Sequence, residues 1–188
     1  MPAMVLLMSG AENADGISEA KINLKISLLL QKLLESSGAT VLLTRSDDNG
    51  IYEINVNSIS QKKVSDIKNR VKIGNSSSAD IFVSIHLNKI TESKYNGWQT
   101  FFKPNDSYSR TLATCIQNNL NETISYDNKR VPMQLNNVYI MKNIEIPIAL
   151  VECGFLSNKE ESSKLVQESY QSQLAWGIYN GIMEYFNS

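Results

Sequence analysis

The chain has 188 residues, 42% of them apolar and 20% charged, as is typical of one globular domain with a single core. The net charge is −1 and the lysines are scattered, which argues against nucleic acid as a partner. No apolar run is long enough to span a bilayer, so no transmembrane segment is predicted. The opening apolar run lacks the basic flank and cleavage site of a signal peptide, so either the protein is not exported or an upstream segment is absent.

Helical and strand-like segments alternate along the chain, which predicts an α/β domain with a largely parallel sheet. An Asp-, Asn- and Ser-rich stretch at 46–60 predicts a surface loop. Ser18 is the predicted N-cap of the first helix, and Val64 and Val71 are predicted to face inward from the second. Strands are predicted at 4–8, 39–43, 80–87, 97–103, 138–141 and 148–153, and helices near 18–36, 61–77, 107–124 and 169–186.

His86 is the only histidine, and it lies near the end of a strongly apolar predicted strand. Alternation places Phe82, Ser84, His86 and Asn88 on one face, which becomes more polar toward the strand's carboxyl end. Ligands bind at that end of the strands in open α/β sheets. His86 is therefore either a functional residue or a core histidine with both nitrogens hydrogen-bonded.

Two carboxylates also occupy positions where apolar residues are expected. Glu152 lies at the end of the apolar strand 148–153, where burial would raise its pKa toward the range useful to a general acid or base. The alternative is a carboxylate that caps a turn or pairs with an arginine. Glu19 begins the first helix on its apolar face, although a glutamate there also favours the helix dipole.

Together, these three residues are typical of the parts of a catalytic zinc site, which needs three protein ligands and an open position for water. Glu19 and Glu152 facing each other could instead act as paired carboxylates without metal. A serine hydrolase is not favoured, because the chain has no Gly-x-Ser-x-Gly motif.

These residues lie in motifs that resemble the zinc-dependent N-acetylmuramoyl-L-alanine amidases of the amidase-3 type. The most specific blocks are Ser-Ile-His-Leu-Asn at 84–88 and Val-Glu-Cys-Gly-Phe-Leu-Ser-Asn at 151–158. Residues 61–70 and 97–102 are similar to the germination-specific, spore-cortex branch. Further matching stretches are 16–24, 41–45, 69–70 and 173–178.

The resemblance implies a single catalytic domain over 1–188, with a mixed, mostly parallel sheet and helices on both faces. The implied reaction is hydrolysis of the amide between N-acetylmuramic acid and the L-alanine of the peptidoglycan stem peptide, in spore cortex maturation or germination. Glu19 and His86 would be zinc ligands, and Glu152 the catalytic carboxylate. Asn88, Arg70 and Arg45 are candidate substrate contacts, although the arginines could equally form internal salt bridges.

The resemblance also implies an exported protein of the cell wall or spore envelope that binds the stem peptide and glycan of peptidoglycan. The family's first zinc ligand is a histidine in an Asp-x-Gly-His-Gly-type motif, and residues 1–11 contain no histidine. We therefore expect the N-terminal strand and this motif to be missing or altered. The alternative function is a catalytically impaired relative that binds peptidoglycan or a partner, and an accessory protein could steady an incomplete site.

Overall fold

The computed structural model describes residues 3–8 (backbone only at 5–8), 16–55 and 57–188. Within these ranges the strands form one six-stranded sheet. The strands are β1 (Ala3–Met8), β2 (Thr40–Leu43), β3 (Ile81–Asn88), β4 (Gln99–Phe102), β5 (Met133–Gln134) and β6 (Ile148–Phe155). The helices are α1 (Glu19–Ser36), α2 (Ile59–Ser76), α3 (Ser107–Thr123), α4 (Tyr139–Asn143), α5 (Lys159–Leu165) and α6 (Glu168–Asn187).

The sheet has the strand order β2-β1-β3-β6-β4-β5. The first four strands in this order run parallel, β4 is antiparallel to β6, and β5 is parallel to β4. The predicted mixed, mostly parallel sheet is therefore confirmed. β3 and β6 lie at the centre and are almost continuously apolar, as strands covered on both faces must be.

Helices cover both faces of the sheet and create two cores. One core joins α1, α3 and α6 to side chains such as Val83 and Ile85 of β3. The other joins α2 and α4 to the opposite side of the same strand, where Phe82 is fully buried. A Cβ at Gly74 would lie 2.7 Å from the Phe82 ring, so this glycine lets α2 approach the sheet closely.

Local sequence signals explain where the long helices begin. Ser18 caps α1 by accepting a hydrogen bond from the Lys21 amide, as predicted. Ser58 and Gln61 form a reciprocal capping box at the start of α2, within the stretch predicted to be loop. Gly38, which follows α1, has a φ of +86°, a conformation that favours glycine.

Two predictions about individual segments are wrong. The predicted strand at 138–141 is instead the N-cap and start of α4, because Ile140 and Met141 cover the sheet face and pack into the second core. Their β-branched and aromatic composition was overridden by that packing. Val64 is 49% exposed, because α2 buries only its C-terminal half, at Val71 and Gly74.

The N-terminal strand is present in the structure, since β1 lies between β2 and β3 and pairs with both. Residues 9–15, which follow it and include part of the segment compared with the family's first zinc-ligand motif, lie outside the described residues. Among the helices in the described ranges, none has the length and hydropathy needed to cross a membrane.

Candidate active site

The structure brings Glu19, His86 and Glu152 together at the carboxyl end of the central strands. His86 is the third residue from the carboxyl end of β3, and it pairs in register with Glu152 on β6. Neighbouring parallel strands place paired residues on the same face of the sheet. Glu19, the first residue of α1, reaches across this end of β3.

Three contacts fix the Glu19 carboxylate. Its Oε1 atom accepts hydrogen bonds from the Leu87 backbone amide at 3.1 Å and from Asn23 Nδ2 at 3.2 Å. The same oxygen lies 3.4 Å from His86 Nδ1. Glu19 is only 6% exposed, and these contacts hold its carboxylate beside the imidazole of His86.

Asn23 is a positioning residue that the sequence reasoning did not single out. It is completely buried, four residues after Glu19 on the same helix face. A polar side chain at this spacing on an otherwise apolar face is the signal that points to it.

Burial raises the pKa of Glu152 to about 7; nearby His86 lowers it and nearby Glu19 raises it. Its Oε2 atom is buried, and no described residue forms a hydrogen bond with it. A carboxyl group that titrates near neutrality can accept a proton and return it.

The three residues open onto a cavity of about 620 Å³. Its far wall is formed by α2 and by the loop around Tyr52. The lining residues are Glu19, Ala20, Arg45, Asp48, Asn49, Gly50, Tyr52, Ile59, Lys62, Lys63, Asp66, Ile67, Arg70, His86, Leu87, Asn88, Lys89 and Glu152. All six predicted site residues thus border one cavity.

The two arginines make internal contacts. Arg70 is 2% exposed and donates to both carboxylate oxygens of Asp66 and, at 2.7 Å, to Thr44 Oγ1. Arg45 donates to the Ala20 carbonyl at 2.7 Å and to the Asp47 carbonyl. Their guanidinium groups therefore brace the cavity, which is the internal role that the sequence also allowed.

Glu19 and His86 supply oxygen and nitrogen donors of the kind that zinc prefers. Glu152 Oε2, which has no hydrogen-bond partner among the described residues, adds a buried polar atom at the same cavity. The residues present thus fit a zinc ion in donor type. Within the described ranges, no group of three histidine, cysteine, aspartate or glutamate residues is arranged to hold a metal.

Comparison with known proteins gives a consistent result. The family model described as N-acetylmuramoyl-L-alanine amidase, Amidase_3, matches residues 8–184. A germination-specific N-acetylmuramoyl-L-alanine amidase of Bacillus subtilis is 33% identical over 168 residues, covering 89% of this chain and 70% of the relative.

Solved structures agree with this comparison. The CwlD amidase from Clostridioides difficile, in complex with the GerS lipoprotein, superposes with a TM-score of 0.95 at 41% identity, covering 100% of this chain and 99% of that one. The catalytic domain of CwlV, an N-acetylmuramoyl-L-alanine amidase from Bacillus (Paenibacillus) polymyxa var. colistinus, gives 0.82 at 29% identity, with coverages of 100% and 99%.

Proposed function

Because the chain belongs to the Amidase_3 family of N-acetylmuramoyl-L-alanine amidases, we propose that Glu152, His86 and Glu19 carry out hydrolysis of the bond between N-acetylmuramic acid and L-alanine in peptidoglycan. The observation that carries this assignment is the meeting of the three residues at one cavity, with the buried Glu152 carboxyl titrating near neutrality. Hydrolysis of an amide near neutral pH needs such a proton acceptor.

Glu19 and His86 would hold a zinc ion. When bound, zinc activates water and polarises the carbonyl of the scissile amide. The hydrogen bonds from Leu87 and Asn23 orient the Glu19 carboxylate for this role. Such supporting contacts typically tune metal affinity.

Glu152 would accept a proton from the attacking water as the water oxygen forms a bond to the lactyl carbonyl carbon. The carbon–nitrogen bond then breaks, and Glu152 returns the proton to the departing nitrogen of L-alanine. Burial of the carboxyl group suits it to both steps, since its pKa lies near 7. Asn88, on the same strand face as His86 and at the cavity wall, is a candidate contact for the amide substrate.

The proposed biological setting is the spore cortex, on the cell-wall side of the membrane. The similarity to a germination-specific amidase and to CwlD supports this setting. We also propose an accessory protein as partner, since the CwlD relative was solved with a lipoprotein bound. A partner that increases zinc retention by the purified chain in a dialysis assay would support this part of the proposal.

Replacement of Glu152 by Gln tests the catalytic assignment. We expect kcat for release of the stem peptide from muropeptides to fall at least about 100-fold, because the proton acceptor is lost. The zinc content of Glu152→Gln after reconstitution should equal that of the unsubstituted chain, whereas His86→Ala should bind less zinc. The matched control is Glu160→Gln, whose side chain is 82% exposed and away from the cavity.

Retention of hydrolysis by Glu152→Gln would contradict the assignment. The alternative of a peptidoglycan-binding relative is not favoured, because the relatives are themselves described as amidases. Binding without hydrolysis at saturating zinc would support it instead. Hydrolysis that survives a chelator would indicate metal-free chemistry by Glu19 and Glu152.

A further inference from the structure

Two neighbouring lysines on α2, Lys62 and Lys63, border the same cavity as Glu19, His86 and Glu152. Neither has a carboxylate within 4.0 Å among the described residues. The arginines that line the cavity do have carboxylate partners. Arg70 pairs with Asp66, and Arg45 Nη1 lies 3.6 Å from Asp48 Oδ1. The two lysines therefore provide positive charge that no carboxylate of the described residues neutralises.

Lys62 is held in place by an aromatic ring. Its Nζ atom lies 4.9 Å from the centroid of the Tyr52 ring, within the range of a cation–π contact. The ring packs on Gly50, where an added Cβ would lie 2.8 Å from two of its carbons. The neighbouring Ile51 amide donates to Asp66 on α2 at 2.8 Å. The ammonium group is thus positioned at the cavity before any ligand binds.

The helix geometry gives the length of the cavity wall between Arg70 and Lys62. Arg70 and Lys62 both line the cavity, and Lys62 lies eight residues before Arg70 on the same helix. Eight residues of α-helix correspond to about 12 Å. An extended peptide covers about 12 Å in three to four residues. A peptide that lies along α2 from Arg70 would therefore reach Lys62 within three to four residues.

From this arrangement, and resting on the proposed function, we propose that Lys62 and Lys63 form a subsite for the carboxylates of the peptide portion of the substrate. The preferred substrate is an acidic stem peptide with free carboxylates, and the amidated peptide is the poorer ligand. Lys62, Lys63 and Tyr52 are specificity-determining residues and take no part in bond breaking.

The test compares two synthetic N-acetylmuramoyl tetrapeptides, one with free carboxylates and one with every carboxylate converted to a carboxamide. Binding is measured by calorimetry in the full chain carrying Glu152→Gln, so that neither ligand is consumed. We expect the free acid to bind roughly fivefold more tightly, as partly exposed ion pairs allow. Lys62→Gln with Lys63→Gln should remove this preference, and rising salt should reduce it.

Lys72→Gln is the control, since Lys72 is an exposed lysine of the same helix outside the cavity. Equal affinity for the two ligands, a preference that survives the double substitution, or the same loss in Lys72→Gln would overturn the proposal. Hydrolysis by the unsubstituted chain is measured separately. Binding preference without hydrolysis would contradict only the proposed function, and hydrolysis without preference would contradict only the subsite.

Discussion

Two buried carboxyl groups, those of Glu152 and Glu161, have pKa values raised to about 7 by burial, but they differ in their partners. Glu152 has an oxygen with no hydrogen-bond partner among the described residues and borders the cavity. Glu161 accepts from the Gly97 amide at 2.7 Å and from the Phe155 amide at 2.6 Å. Glu161 therefore links the start of β4 to the end of β6 and is structural.

The raised pKa of Glu161 predicts a pH-dependent contribution to stability. Because its pKa rises from an ordinary value of 4.5 to about 7 in the fold, the folded protein binds more protons between these values. The contribution is complete below pH 4.5 and is lost as pH rises through about 7. We expect Glu161→Gln to show a smaller fall in the free energy of unfolding between pH 5 and pH 8 than the unsubstituted chain.

Urea unfolding at both pH values measures this difference. The comparison between the two chains cancels the contributions of other titrating groups, Glu152 included. An equal fall in both chains would show that Glu161 does not titrate differently in the folded state.

At the scale of elements, the loop before α2 is attached to that helix by three hydrogen bonds. The Ile51 amide donates to Asp66, the Ile51 carbonyl accepts from Asn69 at 2.6 Å, and the Glu53 amide donates to Ser65 at 3.0 Å. The polar composition of residues 46–60 predicts a loop, but it does not predict that the loop is hydrogen-bonded to α2. The attachment matters because the loop and α2 together form the outer wall of the cavity.

Replacement of Asp66 by Asn should destabilise the protein by about 3 kcal/mol, because it leaves the buried Arg70 guanidinium without its charged partner. Asp48→Asn is the matched control. Asp48 is 48% exposed and lies 3.6 Å from Arg45, so we expect a loss below about 1 kcal/mol. Urea unfolding measures both, and equal losses would contradict the role given to Asp66.

At the scale of the whole molecule, two cores share one sheet. Leu30 lies in the core on the α1 side and Ile140 in the core on the α4 side, and both are almost completely buried. The central strands contribute alternate side chains to the two cores, so neither core can form without the other.

Leu30→Ala and Ile140→Ala should therefore each shift one common unfolding transition, by about 2–5 kcal/mol. The measurement follows urea unfolding by tryptophan fluorescence and by far-ultraviolet circular dichroism. Coincident curves are expected for both variants. A variant in which the two signals separate would indicate that one core unfolds independently.

The sequence by itself determined the class of fold and the family, and it singled out Glu19, His86 and Glu152, which the structure places at one cavity. Alternation and apolar runs report burial directly, and a histidine or glutamate within such a run is visible without a structure. Glu19 was recognised because helical spacing placed it on an apolar face.

Only the tertiary structure decided which of two adjacent glutamates, Glu160 and Glu161, is buried, that residues 139–141 lie in a helix, and that Arg70 pairs with Asp66. It also brought Lys62 and Tyr52 to the cavity that holds His86. These features depend on contacts between segments far apart in the chain, and local patterns of polarity carry no information about which distant segments meet.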